Sequence, residues 1–399
     1  MKIPVNYDSN IGNIINPTLR SQKFFISDWD LHNPQFYNIP SCFTNPTNLS
    51  EEIPAIKQYY FVNEMEIYKR YFAKNQKLPE EIAKNISIFP NGTVAAYLIL
   101  ELLFEKGTLN SLLLSPTYFT YIDMLKKLHG NIYYYQVLDD NGNLKFDIAE
   151  LEQQLISQRI ELLIITDPLF GSGISLKEDF YTKIFNICHH LNIFIFIDYI
   201  YGGMPWNNNI NLLSELNIFN HNENVFIFRS LSKNLFLNGA KTCLVYGPQK
   251  YISEIEKQSV YKLGSLSYKQ LEVFLNLYSD NNKNIVETYI QNICNYCSIN
   301  YEILSSLCVK TKVKLASCQG GMFCIMGIPK YCFRTSNDDK ISEELSDKLN
   351  IITIPHSRYL FFSNKYYWFR INLSYPKEIL LSNINKIIQY VNKSGEVSP

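Results

Sequence analysis

The sequence predicts an α/β fold: a mostly parallel sheet sandwiched by helices, with a smaller α+β domain towards the C-terminus. Three observations carry this expectation. Short, nearly unbroken apolar runs recur from about residue 86, helix-length segments separate them, and after about residue 285 the rhythm changes. A strand covered on both faces loses the apolar–polar alternation of a half-exposed strand, and parallel neighbours need a long crossover, usually a helix.

Residues 1–50 are rich in Pro, Asn and Ser with weak periodicity, and read as an extended arm or loops. Residues 51–75 (EEIPAIKQYYFVNEMEIYKRYFAKN) read as a helix with aromatic residues on one side. The strand candidates are SLLLSP (111–116), NIYYYQV (131–137), ELLIITDP (161–168), NIFIFID (192–198), NVFIFRS (224–230) and KTCLVYG (241–247). Between them lie helix candidates such as TVAAYLILELLFEKG (93–107), DIAELEQQLISQ (147–158) and EDFYTKIFNICHHL (178–191). Beyond residue 285 come a long helical stretch, strand-like VKLAS and GMFCIMGI, a helix candidate (DKISEELSDKL), two further strands and a terminal helix. The expected division is an arm over 1–50 that belongs to the small domain or to a dimer contact, a large domain over 51–285 and a small domain over 286–399.

Composition narrows the function. Of 399 residues 46% are hydrophobic, a globular proportion, and Lys+Arg balances Asp+Glu at 37 each. A nucleic-acid or anionic-membrane surface needs a basic excess, so neither is expected as a partner. No apolar run reaches the roughly 18–20 residues that span a bilayer. The opening MKIPVNYDSNIGNI lacks a basic segment followed by an apolar one, so a cytoplasmic location is expected. Nine cysteines without framework spacing read as reduced thiols. Cys294 and Cys297 form a C-x-x-C, but no second pair or suitably spaced histidines accompany it, and no metal site is expected.

Ligands of open parallel sheets bind beyond the C-terminal ends of the strands, and four strand ends carry polar chemistry. Asn91-Gly92-Thr93 precede a helix, whose free N–H groups and dipole favour a phosphate; taken alone, the segment also fits an ordinary turn and cap. Asp198 ends an unbroken apolar run, where a carboxylate needs a partner such as a protonated ring nitrogen; it also fits a helix cap. Tyr201 follows within reach of a ring oxygen. Lys233 follows a buried strand and two serines, where desolvation would lower its pKa and free the amine; Ser230 and Lys241 could add a hydroxyl and a charge for a phosphate, although S-x-S-K taken alone fits an ordinary surface-loop lysine better. Tyr118, just after a strand, could stack on a planar group or simply pack in the core.

In their order and spacing these residues resemble those of the class I/II aminotransferases, which are pyridoxal 5'-phosphate (PLP) enzymes of fold type I. The motifs are SLSKNLFLNGAK (230–241), DYIY (198–201), N-G-T (91–93), P-T-Y (116–118), GGMF (320–323) and YYWFRINLS (366–374). The resemblance runs from about residue 55 to the C-terminus. It implies Lys233 as the lysine that holds PLP in a Schiff base and then serves as base, with Asp198 on the pyridine nitrogen and Tyr201 on the ring oxygen. It further implies Gly92, Thr93, Ser230 and Lys241 on the phosphate, Tyr118 stacked on the ring, and Arg370 as the clamp for the substrate carboxylate. It implies a homodimer, with Tyr59 or Tyr60 reaching across the interface.

Two positions depart from the family pattern. The N-P-x-N-P-T-G segment reads D-P-L-F-G-S-G (167–173), so Phe170 replaces an asparagine donor to the ring oxygen. Lys241 stands where most members have arginine, and keeps the charge without the bidentate fork. The expected activity is transamination of an L-amino acid; a PLP-dependent cyclase, β/γ-eliminating lyase or oxidase is the alternative that Phe170 keeps open. A non-catalytic regulator would need a DNA-binding module, for which the first 50 residues are too short and too little basic. Aromatic residues near the motifs, Phe119, Phe170, Tyr199, Trp206 and Tyr359, suggest a weakly charged pocket.

Overall fold

The computed structural model describes residues 1–3, 7–11, 21–44, 59–75, 78–107, 110–206 and 223–394. In chain order its strands are β1 (Phe24–Phe25), β2 (Ile86–Phe89), β3 (Asn110–Ser115), β4 (Asn131–Gln136), β5 (Leu162–Thr166), β6 (Phe194–Asp198), β7 (Val225–Arg229), β8 (Cys243–Tyr246), β9 (Lys314–Leu315), β10 (Phe323–Pro329), β11 (Ile351–Ile352) and β12 (Tyr366–Asn372). The helices are α1 (Glu66–Asn75), α2 (Gly92–Glu105), α3 (Phe119–Lys127), α4 (Ile148–Ser157), α5 (Glu178–His190), α6 (Leu231–Asn234), α7 (Gln249–Leu263), α8 (Tyr268–Leu277), α9 (Lys283–Cys308), α10 (Asp338–Leu349) and α11 (Lys377–Ser394).

Seven strands form the main sheet in the order β2-β8-β7-β6-β5-β3-β4. β3 to β7 pair in parallel, and β8 is antiparallel to both β7 and β2. The apolar runs are continuous because both faces are covered: every residue of β5 is buried. Polar residues start the helices where the first N–H groups lack partners. Asn91 Oδ1 accepts from the Val94 N–H at 2.9 Å, and Asp147 Oδ1 accepts from those of Ala149 and Glu150 at 2.9 and 3.2 Å.

The expected α+β region follows. β9, β10 and β12 form an antiparallel sheet in the order β12-β10-β9, against which a second apolar core assembles. The segment from residue 21 is built into this region: β1 pairs in parallel with β11, and Ile26 and Phe36 bury in the same core. α9 carries Cys294 and Cys297, both buried and both free thiols. No helix among the described residues is long and apolar enough to cross a membrane.

One element departs from expectation. The helix read over 51–75 begins only at Glu66; residues 51–58 lie outside the described residues. The Tyr60 N–H donates to Ser265 Oγ at 2.7 Å, and the Tyr60 carbonyl accepts from the Leu266 N–H at 2.8 Å. Backbone groups committed to a partner distant in sequence cannot also close a helical turn.

Candidate active site

Because β5, β6 and β7 are parallel, their C-terminal ends open on one edge of the sheet, and the starts of α2 and α3 close on it. A cavity of about 540 Å³ lies there. The sequence-selected residues Gly92, Thr93, Tyr118 and Asp198 line it, and so do Tyr201, Ser230, Lys233 and Lys241. Phe119 and Phe170 line it too.

Asp198 is the last residue of β6. Its Oδ2 accepts from the Tyr121 hydroxyl at 2.6 Å and its Oδ1 from the Ile200 N–H at 3.1 Å. Burial pushes its carboxyl above the usual range, against the pull of those two bonds and of the Lys233 charge. Lys233 Nζ donates to Asn238 Oδ1 at 2.9 Å. Burial first, and then the neighbouring Lys241 charge, holds its amine below the ordinary lysine pKa. Ser230 Oγ donates to the Thr242 carbonyl and ties the end of β7 to the approach to β8. A Cβ at Gly92 would meet Ile200 Cδ1 at 2.4 Å, so glycine lets the loop after β6 lie against the start of α2.

Tyr118 packs edge-on against Phe119 and Tyr121 and tilts onto Phe170, with ring centroids 5.1 Å apart. Tyr201 lies edge-on to Phe323 at 5.6 Å, and burial raises its hydroxyl pKa well above the ordinary value.

Arg370, on β12, is fully buried. Its Nε and Nη2 donate to the Ser27 carbonyl, and its guanidinium carbon lies 4.3, 4.6 and 5.6 Å from the ring centroids of Trp29, Phe323 and Phe170. Nη1 has no hydrogen-bond partner. A buried charged donor in this state is costly, and an anion in contact would remove the cost. Next to it both nitrogens of buried His356 lack partners; burial, and then the Arg370 charge, holds its pKa far below 6.5, so the ring is neutral. Asp167 lies on the other side of Phe170 in the chain. Its carboxyl is pushed up to about 6 by burial and accepts from the Tyr181 hydroxyl at 2.6 Å.

Arg370 itself and several other selected residues fall outside the cavity lining. Tyr199 turns into the core beneath Arg229. Trp206 packs on Tyr301 and donates its Nε1–H to the Gly321 carbonyl at 3.0 Å. Tyr359 is buried behind Phe170, their centroids 4.8 Å apart. Tyr60 is buried and Tyr59 is 78% exposed. Sequence reasoning passed over Tyr121, Ile11, Trp29 and His356. Tyr121 had a signal, standing three residues after Tyr118 in the first turn of α3, where its N–H donates to the Tyr118 carbonyl at 3.1 Å; Ile11 and Trp29 had none, because they arrive from the N-terminal segment by tertiary contact.

The residues present fit the PLP group. They offer an amine of depressed pKa, a buried carboxylate for a ring nitrogen, helix N–H groups with a nearby cation for a phosphate, and an aromatic face. The donor expected from an asparagine is missing, since Phe170 occupies that place.

The sequence profile of the aminotransferase class I and II family matches residues 63–385. No curated protein matches the chain in sequence. Among solved structures, YbdL from Escherichia coli, for which a methionine aminotransferase function is reported, matches with TM-score 0.77 at 14% identity over 98% of both chains. A single mutant of Thermus thermophilus aspartate aminotransferase matches with TM-score 0.80 at 12% identity over 97% of both chains. The PLP-bound C-S lyase from Staphylococcus hominis matches with TM-score 0.76 at 13% identity over 98% of this chain and 97% of that one. At these identities the likeness is one of fold.

Proposed function

The chain belongs to the aminotransferase class I and II family, and from that premise we propose that this PLP enzyme transaminates an L-amino acid in the cavity at the ends of β5, β6 and β7. The observation that carries the reading is the convergence of Lys233, Asp198 and the start of α2 on one cavity. When bound, PLP supplies an aldehyde that captures amines and a ring that draws electrons from the substrate Cα.

The chain's own residues do the rest. Lys233 holds the aldehyde end and, once displaced, moves the proton at Cα; its lowered pKa favours the free amine more than in an ordinary lysine. Asp198 holds the ring nitrogen in its protonated form, and Tyr121 fixes the orientation of that carboxylate. Tyr201 donates to the ring oxygen, and Tyr118 covers one ring face. The N–H groups at Gly92 and Thr93, the Ser230 hydroxyl and the Lys241 ammonium hold the phosphate. Arg370 receives the substrate carboxylate on its free Nη1.

An absorbance titration tests the reading. The purified holoenzyme shows a cofactor band that Lys233→Ala displaces, and an amino donor given without a keto acid bleaches the wild-type band and stops after one turnover. Continued turnover without a keto acid would instead establish the second reading, elimination, cyclisation or oxidation, which Phe170 favours by removing a donor next to Tyr118.

The same reading includes a homodimer and the division into an arm (1–50), a large domain (51–285) and a small one (286–399). Tyr59 and Tyr261 are 78% and 73% exposed, and Tyr59 stacks on Phe61 at 5.6 Å on one outer face next to the end of α7. A partner copy covers this face, and Tyr59 rather than buried Tyr60 reaches it.

A further inference from the structure

We propose that the substrate carries a single carboxylate and an apolar side chain of aromatic size, selected by a wall of Ile11, Trp29, Phe119 and Phe170; this rests on the reading of the cavity as a PLP site. The lining residues divide by chemistry and by origin. Among the described ones the charged members are Asp167, Asp198, Lys233 and Lys241, which stand at the ends of β5 and β6, in α6 and in the loop before β8. The opposite group is apolar and forms one packed cluster, in which Ile11 and Phe170 are buried and Trp29, Tyr118 and Phe119 are partly open to the cavity.

Arg370 fixes the direction in which a substrate lies. Its unpartnered Nη1 is buried just behind the cavity lining, its guanidinium 4.3 Å from the Trp29 ring and 5.6 Å from Phe170, and is the place for a carboxylate that passes between these lining rings. A carboxylate held there presents the rest of the amino acid to these rings, between Arg370 and Tyr118. A side chain on that wall gains by giving up water, whereas a second carboxylate would lose its hydration against aromatic carbon. The cavity, about 540 Å³, lies within the size range of small-molecule sites.

The wall is held in place before any ligand arrives. Arg358 Nη1 donates to the carbonyls of Asp8 and Asn10 at 2.7 and 3.0 Å and pairs with the Asp8 carboxylate at 2.8 Å. Asp339 grips the same guanidinium through Nε and Nη2 at 3.1 and 2.8 Å. The Tyr7 hydroxyl donates to the Ser357 carbonyl at 2.7 Å. These contacts carry Ile11 to the cavity, so little ordering is left for binding to accomplish.

Calorimetry of the holoenzyme with amine-free analogues separates side-chain recognition from reaction. The probes are 3-phenylpropanoate, 4-methylpentanoate, butanoate and glutarate. We expect the first two to bind at least about tenfold tighter than glutarate, given that one buried methylene alone discriminates by about 10- to 200-fold. Phe119→Ala weakens 3-phenylpropanoate by about tenfold or more and leaves butanoate nearly unchanged, and Phe119→Leu restores part of the loss. Glutarate binding as tightly as 3-phenylpropanoate, or an equal loss for every probe in Phe119→Ala, overturns the proposal. A purified protein without a Lys233-dependent cofactor band overturns the underlying PLP reading instead, so the two failures are told apart.

Discussion

Tyr121 donates at 2.6 Å to a carboxylate that burial already pushes towards its neutral form. Tyr121→Phe removes that bond, and the loss of one hydrogen bond to a buried charged group costs about 1–3 kcal/mol. Asp198 then protonates more readily, and a protonated carboxyl holds a pyridinium less well. The expected outcome is PLP affinity lower by about tenfold or more, read by titrating apoprotein with cofactor; unchanged affinity would remove Tyr121 from the site. At Arg370 the position of the free donor matters as much as the charge. Arg370→Lys keeps the charge but loses the fork and the contact with three rings, and KM for the amino donor should rise by an amount corresponding to about 2–5 kcal/mol. His356 gives a pH signature. Its folded pKa lies well below its ordinary 6.5, so below that pH the unfolded chain takes up a proton that the folded chain refuses. Its contribution is therefore complete above pH 6.5 and is lost as pH falls. Asp167 acts in the opposite sense: its carboxyl, raised from 3.8 to about 6, makes the fold less stable as pH rises through that interval. His356→Leu should therefore reduce the fall in Tm on acidification below pH 6.5, and an unchanged acid slope would contradict the assignment.

At the scale of elements, the strands and crossover helices were legible because burial on both faces leaves a local mark, an unbroken apolar run ending in a polar residue. Asp198 and Lys233 were legible for the same reason, as polar groups placed where such runs stop. The N-terminal contribution was not. β1 finds its partner in β11, more than 300 residues away, and no local periodicity announces that pairing. Ile11 and Trp29 reach the cavity by the same kind of long-range contact. The helix read over 51–75 shows the converse error, because its aromatic spacing fits a helix while Tyr60 is paired with residues 265 and 266. The start of α2 offers an element-scale test. Asn91→Ala removes the cap on the Val94 N–H, and helix caps contribute about 0.5–2 kcal/mol. A lower Tm accompanied by weaker phosphate-end binding of PLP is expected; a Tm equal to that of the parent would show that the cap contributes nothing.

Across the whole molecule, the site gathers groups from three places. The ends of the main sheet supply Asp198 and Lys233, the N-terminal segment supplies Ile11 and Trp29, and Arg370 of β12 lies buried behind the lining, against the Trp29 and Phe170 rings. The Ser27 carbonyl accepts from the Arg370 guanidinium, so the segment that lines the pocket also holds the residue proposed to receive the carboxylate. On the outer face, Tyr59 and Tyr261 lead to an expected homodimer by light scattering, which Tyr59→Asp together with Tyr261→Asp should weaken; a fully active monomer would contradict that part of the reading. The central claim is that Lys233 carries the cofactor. Borohydride reduction of the purified holoenzyme followed by peptide mass mapping tests it most directly. The account predicts a pyridoxyl adduct on the peptide containing Lys233 and none after Lys233→Ala. An adduct on another lysine, or none in a protein that retains PLP, would contradict it.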